Sequence, residues 1–140
     1  MGRIIAIDYG QKRVGVAVTD IGQMIAGPLD TIHSKDILAW LKNYIAQEEV
    51  DCIVVGEPKQ MNNQPSESAL YIDPFVKLLQ KTFPAIRIDR VDERFTSKMA
   101  SNAILLSGAR KKDRQDKSLV DKVSAAIMLQ SYLEMKSMNR

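Results

Sequence analysis

Arg3-Ile4-Ile5-Ala6-Ile7-Asp8-Tyr9-Gly10 opens the chain with an unbroken apolar run that ends on a carboxylate. A short run of isoleucine and alanine with no polar alternation describes a strand buried on both faces, and such a strand belongs at the centre of a sheet covered by helices. In open sheets with parallel strands, ligands bind outside the carboxyl ends of the strands. Asp8 stands at that end of the run, which makes it the first catalytic candidate. The rest of the chain is then asked whether it brings a second carboxylate to the same rim.

The elements that follow place the run. Val14-Gly15-Val16-Ala17-Val18-Thr19 returns after a short polar stretch, so a hairpin is expected, with Gly10 supplying positive φ at the turn. Asp20-Ile21-Gly22-Gln23 is a second turn, and Met24 to Ile32 is a third strand whose Pro28 suits an edge, because proline cannot donate to a ladder. Ser34 is expected to cap a helix reaching about Glu49, with Ile37, Leu38, Leu41, Tyr44 and Ile45 at helical spacing. Asp51 to Gly56 is a buried strand, followed by a long polar loop from Glu57 to Pro65 of the kind that carries function. A second helix runs from about Ser66 to Thr82 with Leu70, Phe75, Val76, Leu78 and Leu79 apolar, and Pro84 closes it. Ile86 to Val91 alternates as a half-exposed strand should and leads into Asp92-Glu93-Arg94. A third helix from Thr96 or Ser97 to Ser107-Gly108 precedes the last one, Ser118 to about Met138, with Leu119, Val123, Ala126, Ile127 and Leu133 inward. The expected architecture is α/β: a five-stranded mixed sheet, three antiparallel strands and then two parallel to the first, with helices on both faces.

Length and composition bound the function. One hundred and forty residues, 45% hydrophobic and 26% charged, suit a single domain spanning 1–140 with a real core. No apolar run approaches a membrane span and the N-terminus lacks a signal-peptide pattern, so no membrane partner is expected and the cytoplasm is the expected compartment. Cys52, the one cysteine, lies in the apolar run Cys52-Ile53-Val54-Val55 and reads as a small core residue. The net charge of +3 is concentrated: Arg110-Lys111-Lys112-Asp113-Arg114-Gln115-Asp116-Lys117 holds five basic and two acidic residues, and the remaining charges balance. A basic segment on a neutral body suits phosphate contact, although on charge alone a solvated surface loop accounts for it slightly better.

Three sets of acids converge on the expected rim: Asp8, the pair Asp92 and Glu93, and Asp121 near the start of the last helix. Each has an ordinary explanation, in turn hydrogen bonding, in a surface ion pair or in the helix macrodipole. Together they require a cation, since carboxylates at close range raise one another's pKa. Magnesium takes oxygen ligands and completes its shell with substrate phosphate. Two such ions, Mg2+ or Mn2+, could activate an attacking water and stabilise the leaving oxygen of a phosphodiester.

The ordered set Asp8-Tyr9-Gly10, Gly56-Glu57-Pro58-Lys59 with Met61-Asn62, Asp92-Glu93-Arg94 with Thr96, and Val120-Asp121 with Ala125-Ala126 and Tyr132-Leu133 resembles the YqgF (RuvX) family over essentially the whole chain. The resemblance implies an RNase H-like fold related to the RuvC Holliday-junction resolvases and nuclease activity in maturing the small-subunit ribosomal RNA precursor. It implies metal-binding catalytic roles for Asp8, Glu93 and Asp121, and in the expected mechanism Asp8 bridges two ions while Glu93 and Asp121 hold one each or share them. Lys12, Arg13, Arg110, Lys111, Lys112, Arg114 and Lys117 are expected to hold the nucleic acid through its phosphates, joined by Lys59 and Arg94 from the matching motifs. The chain departs from the family at Gln60 and Asn63, where asparagine and glycine are common, which weakens the expectation that this loop touches nucleic acid.

RNA is the favoured substrate, with DNA as the alternative in a Holliday-junction resolvase, because no motif here reads the 2′-hydroxyl. The chain is expected to act as a monomer or a homodimer. A non-catalytic RNA-binding module of ribosome assembly is the rival of a different class. Asp8-x-Gly10 before a hairpin also resembles the phosphate loop of actin-like and sugar-kinase ATPases, which enclose a nucleotide between two such domains. His33 is expected to be structural or exposed, Trp40 and Tyr44 to pack, and Tyr9 to pack or to stack on a base.

Overall fold

The computed structural model describes residues 2–10, 12–57, 69–92 and 117–138. Five strands, β1 (Arg3–Tyr9), β2 (Arg13–Thr19), β3 (Ala26–His33), β4 (Val50–Glu57) and β5 (Arg87–Asp92), form one sheet in the order β3-β2-β1-β4-β5. The described helices are α1 (Ile37–Gln47), α2 (Ala69–Thr82) and α3 (Lys117–Met138). β1 is central, as its apolar run predicts, with Ile4, Ile5, Ala6 and Ile7 fully buried. β2 and β3 add to it in antiparallel fashion, β4 and β5 in parallel, so the carboxyl ends of β1, β4 and β5 share one rim.

Period-two alternation divides the core. Ile5 and Ile7, with Ile53 and Val55, pack against Ile37 and Leu41 of α1 and Ile72, Phe75, Val76 and Leu79 of α2. Ile4 and Ala6, with Ala17, Cys52, Val54 and Val91, pack against Ala125, Met128, Leu129 and Tyr132 of α3. Successive strand side chains point to opposite faces, so Asp8, two residues beyond Ala6, belongs to the face that α3 covers.

β3 is an edge strand and carries Pro28 opposite Ala17, next to a register shift between Val16 and Ala17. Several local details differ from expectation. Gly10 lies outside the left-handed region. Its amide donates to the Arg13 carbonyl at 3.0 Å, and an added Cβ would meet that same oxygen at 2.6 Å. Close approach, not positive φ, is what requires glycine there. Among the described non-glycine residues the left-handed one is Gln23, with φ 57°, in the turn where Asp20 Oδ1 accepts the amides of Met24 at 2.8 Å and Ile25 at 2.9 Å. Ser34 does not cap α1; its amide donates to the Lys12 carbonyl, tying this connection to the β1–β2 turn, and the helix begins at Ile37 behind Asp36.

In α2, Leu78 is 42% exposed and Ile72 takes the buried position instead. In α3 the expected inward stripe is displaced: Ser124, Ala125, Met128, Leu129 and Tyr132 are buried, whereas Val123 and Ile127 are only partly covered, as are Ala126 and Leu133 at the margin of the core. Apolar residues occupy much of the helix circumference, so spacing alone does not select its face. The expected loop after Glu57, from Pro58 onward, the expected helix after Thr96 and the basic segment before Lys117 lie outside the described residues.

Candidate functional site

The corner at the carboxyl end of β1 is built around an absent side chain. Asp8 is directly opposite Gly15 in the β1–β2 ladder. A Cβ on Gly15 would overlap the Asp121 carbonyl and stand only 3.0 Å from the Lys122 amide nitrogen. Only glycine lets the backbone of α3 come down onto the strand at that point. Asp121 also lies on the buried stripe of α3, three and four residues before Ser124 and Ala125. The acids from the beginning and the end of the chain therefore come to one face of the sheet at one rim.

Arg13 completes this corner. It precedes Gly15 by two residues, so it shares the α3-facing side of β2, and its Nε donates to Asp121 Oδ2 at 2.7 Å. The Asp121 side chain is 24% exposed and that of Arg13 43%, which leaves the guanidinium open to solvent on one side. Lys12 is exposed beside it in the turn.

A second tie holds the other end of α3. Tyr132 donates its hydroxyl hydrogen to Asp89 Oδ2 at 2.5 Å, and Arg87 Nε donates to Asp89 Oδ1 at 2.9 Å. Burial, and then the bond to Asp89, push the Tyr132 hydroxyl well above the usual tyrosine range. Burial works to raise Asp89, but the bonds from Tyr132 and Arg87 outweigh it and hold the carboxyl below its ordinary value. Asp121 and Tyr132 are eleven residues apart, about 16 Å of helix. Fixed at Arg13 and at Asp89, α3 can neither slide nor roll without breaking a charged hydrogen bond. Asp89 had read only as the polar half of an alternating strand; its parity with Val91, which faces α3, was the available signal. A cavity of about 320 Å³ lined by Cys52, Arg87, Tyr132 and Lys136 adjoins this tie. It opens near the starting residues of β4 and β5, away from the rim where such sheets bind ligands.

The other expected site residues divide as follows. Asp92 closes β5 opposite Glu57, while Glu93, Arg94, Lys59, Arg110, Lys111, Lys112 and Arg114 lie outside the described residues, as does the side chain of Lys117. Among the described residues no group of three or more His, Cys, Asp or Glu gathers. Tyr9 stacks on Phe75 with ring centroids 4.2 Å apart, and Trp40 stacks on Tyr44 at 5.2 Å, so these rings are engaged in packing. His33 is exposed, its Nδ1 accepting the Lys35 amide at 3.2 Å. No described helix is long and apolar enough to cross a membrane.

This sheet order, with helices on both faces, is that of an RNase H-like fold. T. thermophilus RuvC, solved in complex with a Holliday junction substrate, matches with a TM-score of 0.56 at 16% identity, covering 98% of this chain and 96% of that one. The chain belongs to the RuvX family, whose description "RuvX: Holliday junction resolvase" matches residues 2–135. A relative from Parabacteroides distasonis is 55% identical over 136 residues, 97% of each chain, and is named "Putative pre-16S rRNA nuclease". A relative from Flavobacterium johnsoniae with the same name is also 55% identical, over 97% of this chain and 99% of its own.

Proposed function

We propose that this chain is a divalent-metal-dependent nuclease that hydrolyses phosphodiester bonds of the small-subunit ribosomal RNA precursor. The observation that carries the reading is the approach of α3 to Gly15, which brings Asp121 to the side of Asp8. The names of the relatives supply the substrate. Carboxylate oxygens are a hard donor set that suits Mg2+ or Mn2+, and Asp8 and Asp121 would hold the metal, with Glu93 as the third ligand. Asp89 and Val91 are on the α3 side of β5, and in the sequence Glu93 stands two positions after Val91.

When bound, divalent ions supply the Lewis acidity that activates water and neutralises charge developing on the phosphate. The chain's own contribution is position. Asp8 projects from a strand buried on both faces, and Asp121 from a helix whose backbone rests against Gly15 and whose far end is tied to Asp89, so neither acid has to reorganise as charge develops. Lys12 and Arg13 on one side of the rim, with Lys59, Arg94 and the Arg110–Lys117 segment, bind the strand through its phosphates, which orients it without reading sequence.

The test is cleavage by the purified chain of an RNA spanning a precursor end of the small-subunit rRNA, with Mg2+, Mn2+ or EDTA, beside a four-way DNA junction. RNA cleavage that needs the metal and is lost in Asp8→Asn and Asp121→Asn is expected. Cleavage that persists in Asp8→Asn refutes the assignment of the site. Cleavage of the junction with no action on RNA would make the chain a resolvase, the activity that the family description names.

A further inference from the structure

The Arg13 to Asp121 pair sits where the proposed metal would bind, and this deepens the nuclease reading on which it rests. Arg13 Nε is 2.7 Å from Asp121 Oδ2, and Arg13 shares a sheet face with Asp8, diagonally across the β1–β2 ladder. Diagonal positions of an antiparallel pair are within reach of a long side chain. The guanidinium is thus placed to offset the negative charge of this corner in the metal-free chain. A magnesium ion demands its oxygen ligands at close range, and a guanidinium bonded to the same carboxylate repels it. Loading the site therefore weakens the hold of Arg13 on Asp121 and favours its release. Its backbone stays fixed by the Gly10 to Arg13 hydrogen bond, and its side chain is already 43% exposed. The displaced fork remains at the rim, where a strand phosphate would lie, and planar bidentate recognition of phosphate is what a guanidinium does well.

We infer that Arg13 is a switching counter-ion: it neutralises Asp121 while the site is free of metal and transfers to a phosphate of the nucleic acid when cations take the carboxylates. Metal and nucleic acid then favour each other's binding through one side chain, and the coupling is reciprocal.

The experiment is Mn2+ titration of the full chain followed by electron paramagnetic resonance. The chains are wild type, Arg13→Gln, Lys12→Gln and Asp121→Asn, each shown to be folded by circular dichroism. Affinity for a short single-stranded RNA is measured in parallel by fluorescence anisotropy, with and without Ca2+ as the supporting ion. Arg13→Gln is expected to bind Mn2+ about two- to fivefold more tightly than wild type, the scale of a partly exposed ion pair. It is also expected to lose most of the Ca2+-dependent gain in RNA affinity. Lys12→Gln removes a neighbouring positive charge without breaking the pair and is expected to leave Mn2+ affinity near wild type. Equal or weaker Mn2+ binding by Arg13→Gln, or equal tightening in Lys12→Gln, overturns the switch and leaves Arg13 as a fixed tie for α3. Mn2+ binding by Asp121→Asn that equals wild type removes the metal site itself, a separate failure that this design tells apart.

Discussion

Replacing Gly15 by alanine tests the geometry on which the site depends. The new methyl group would overlap the Asp121 carbonyl and press on the Lys122 amide nitrogen at 3.0 Å. Both obstacles are helix backbone, which cannot rotate aside as the end of a side chain can. Ordinary non-bonded contact is restored only if the N-terminal part of α3 lifts from β2 by about 1 Å. Overpacking of this kind costs about 1–3 kcal/mol, a loss of about 3–10 °C in melting temperature for a domain of this size. The catalytic effect should be larger, because Asp121 moves with the helix while Asp8 stays with the strand, and a 1 Å misplacement of reacting groups costs on the order of 100-fold in rate. Thermal melting and metal-dependent RNA cleavage are measured on the same preparations, below the melting range of the variant. Gly27→Ala is the control, since a Cβ there meets nothing within 4 Å, and it should change neither quantity appreciably. Wild-type stability together with wild-type cleavage in Gly15→Ala would refute the claim that helix approach at this glycine builds the site.

Tyr132→Phe should cost about 1–2 kcal/mol, the lower range for a hydrogen bond to a charged group, because Arg87 remains on Asp89. Tyr132 has its folded pKa raised, so its contribution is complete below the ordinary tyrosine value of about 10 and fades as pH rises through the folded value. Asp89 has its folded pKa lowered, so its contribution is present above the ordinary carboxyl value of about 4 and fades as pH falls through the folded value. Urea midpoints across pH should therefore show a plateau between these limits in wild type, and in Tyr132→Phe a lower plateau that falls less steeply at alkaline pH; superimposable curves would remove the Tyr132 tie. Cys52 is 5% exposed, and burial and then the Asp89 charge push its thiol up, so a thiol reagent at neutral pH should label it only as fast as the chain opens. Labelling of the native chain at the rate of a free thiol would contradict that burial.

The amino-acid sequence alone determined the sheet. The apolar run from Ile4 to Ile7 required a central strand, the short return at Val14 required a hairpin, Pro28 marked an edge, and the helical intervals before β4 and β5 required parallel crossovers. These properties are local or follow from connection lengths, and period and turn chemistry report them directly. It also singled out Asp8 and Asp121 as acids that could meet. Tertiary structure decided how α3 comes down on Gly15, the residue opposite Asp8. The buried face of α3 was misread because that helix is apolar around most of its surface, and the choice among its faces was made by the small residues opposite, Ala6, Gly15 and Ala17. Arg13 read as a phosphate contact, and only folding shows it paired with a carboxylate 108 positions away. Tyr132 and Asp89, separated by 43 positions, are likewise joined only in the folded chain. Pattern along a chain records which face each residue prefers, whereas contact between distant faces depends on the shapes that meet, and those exist only once the sheet and helix have docked.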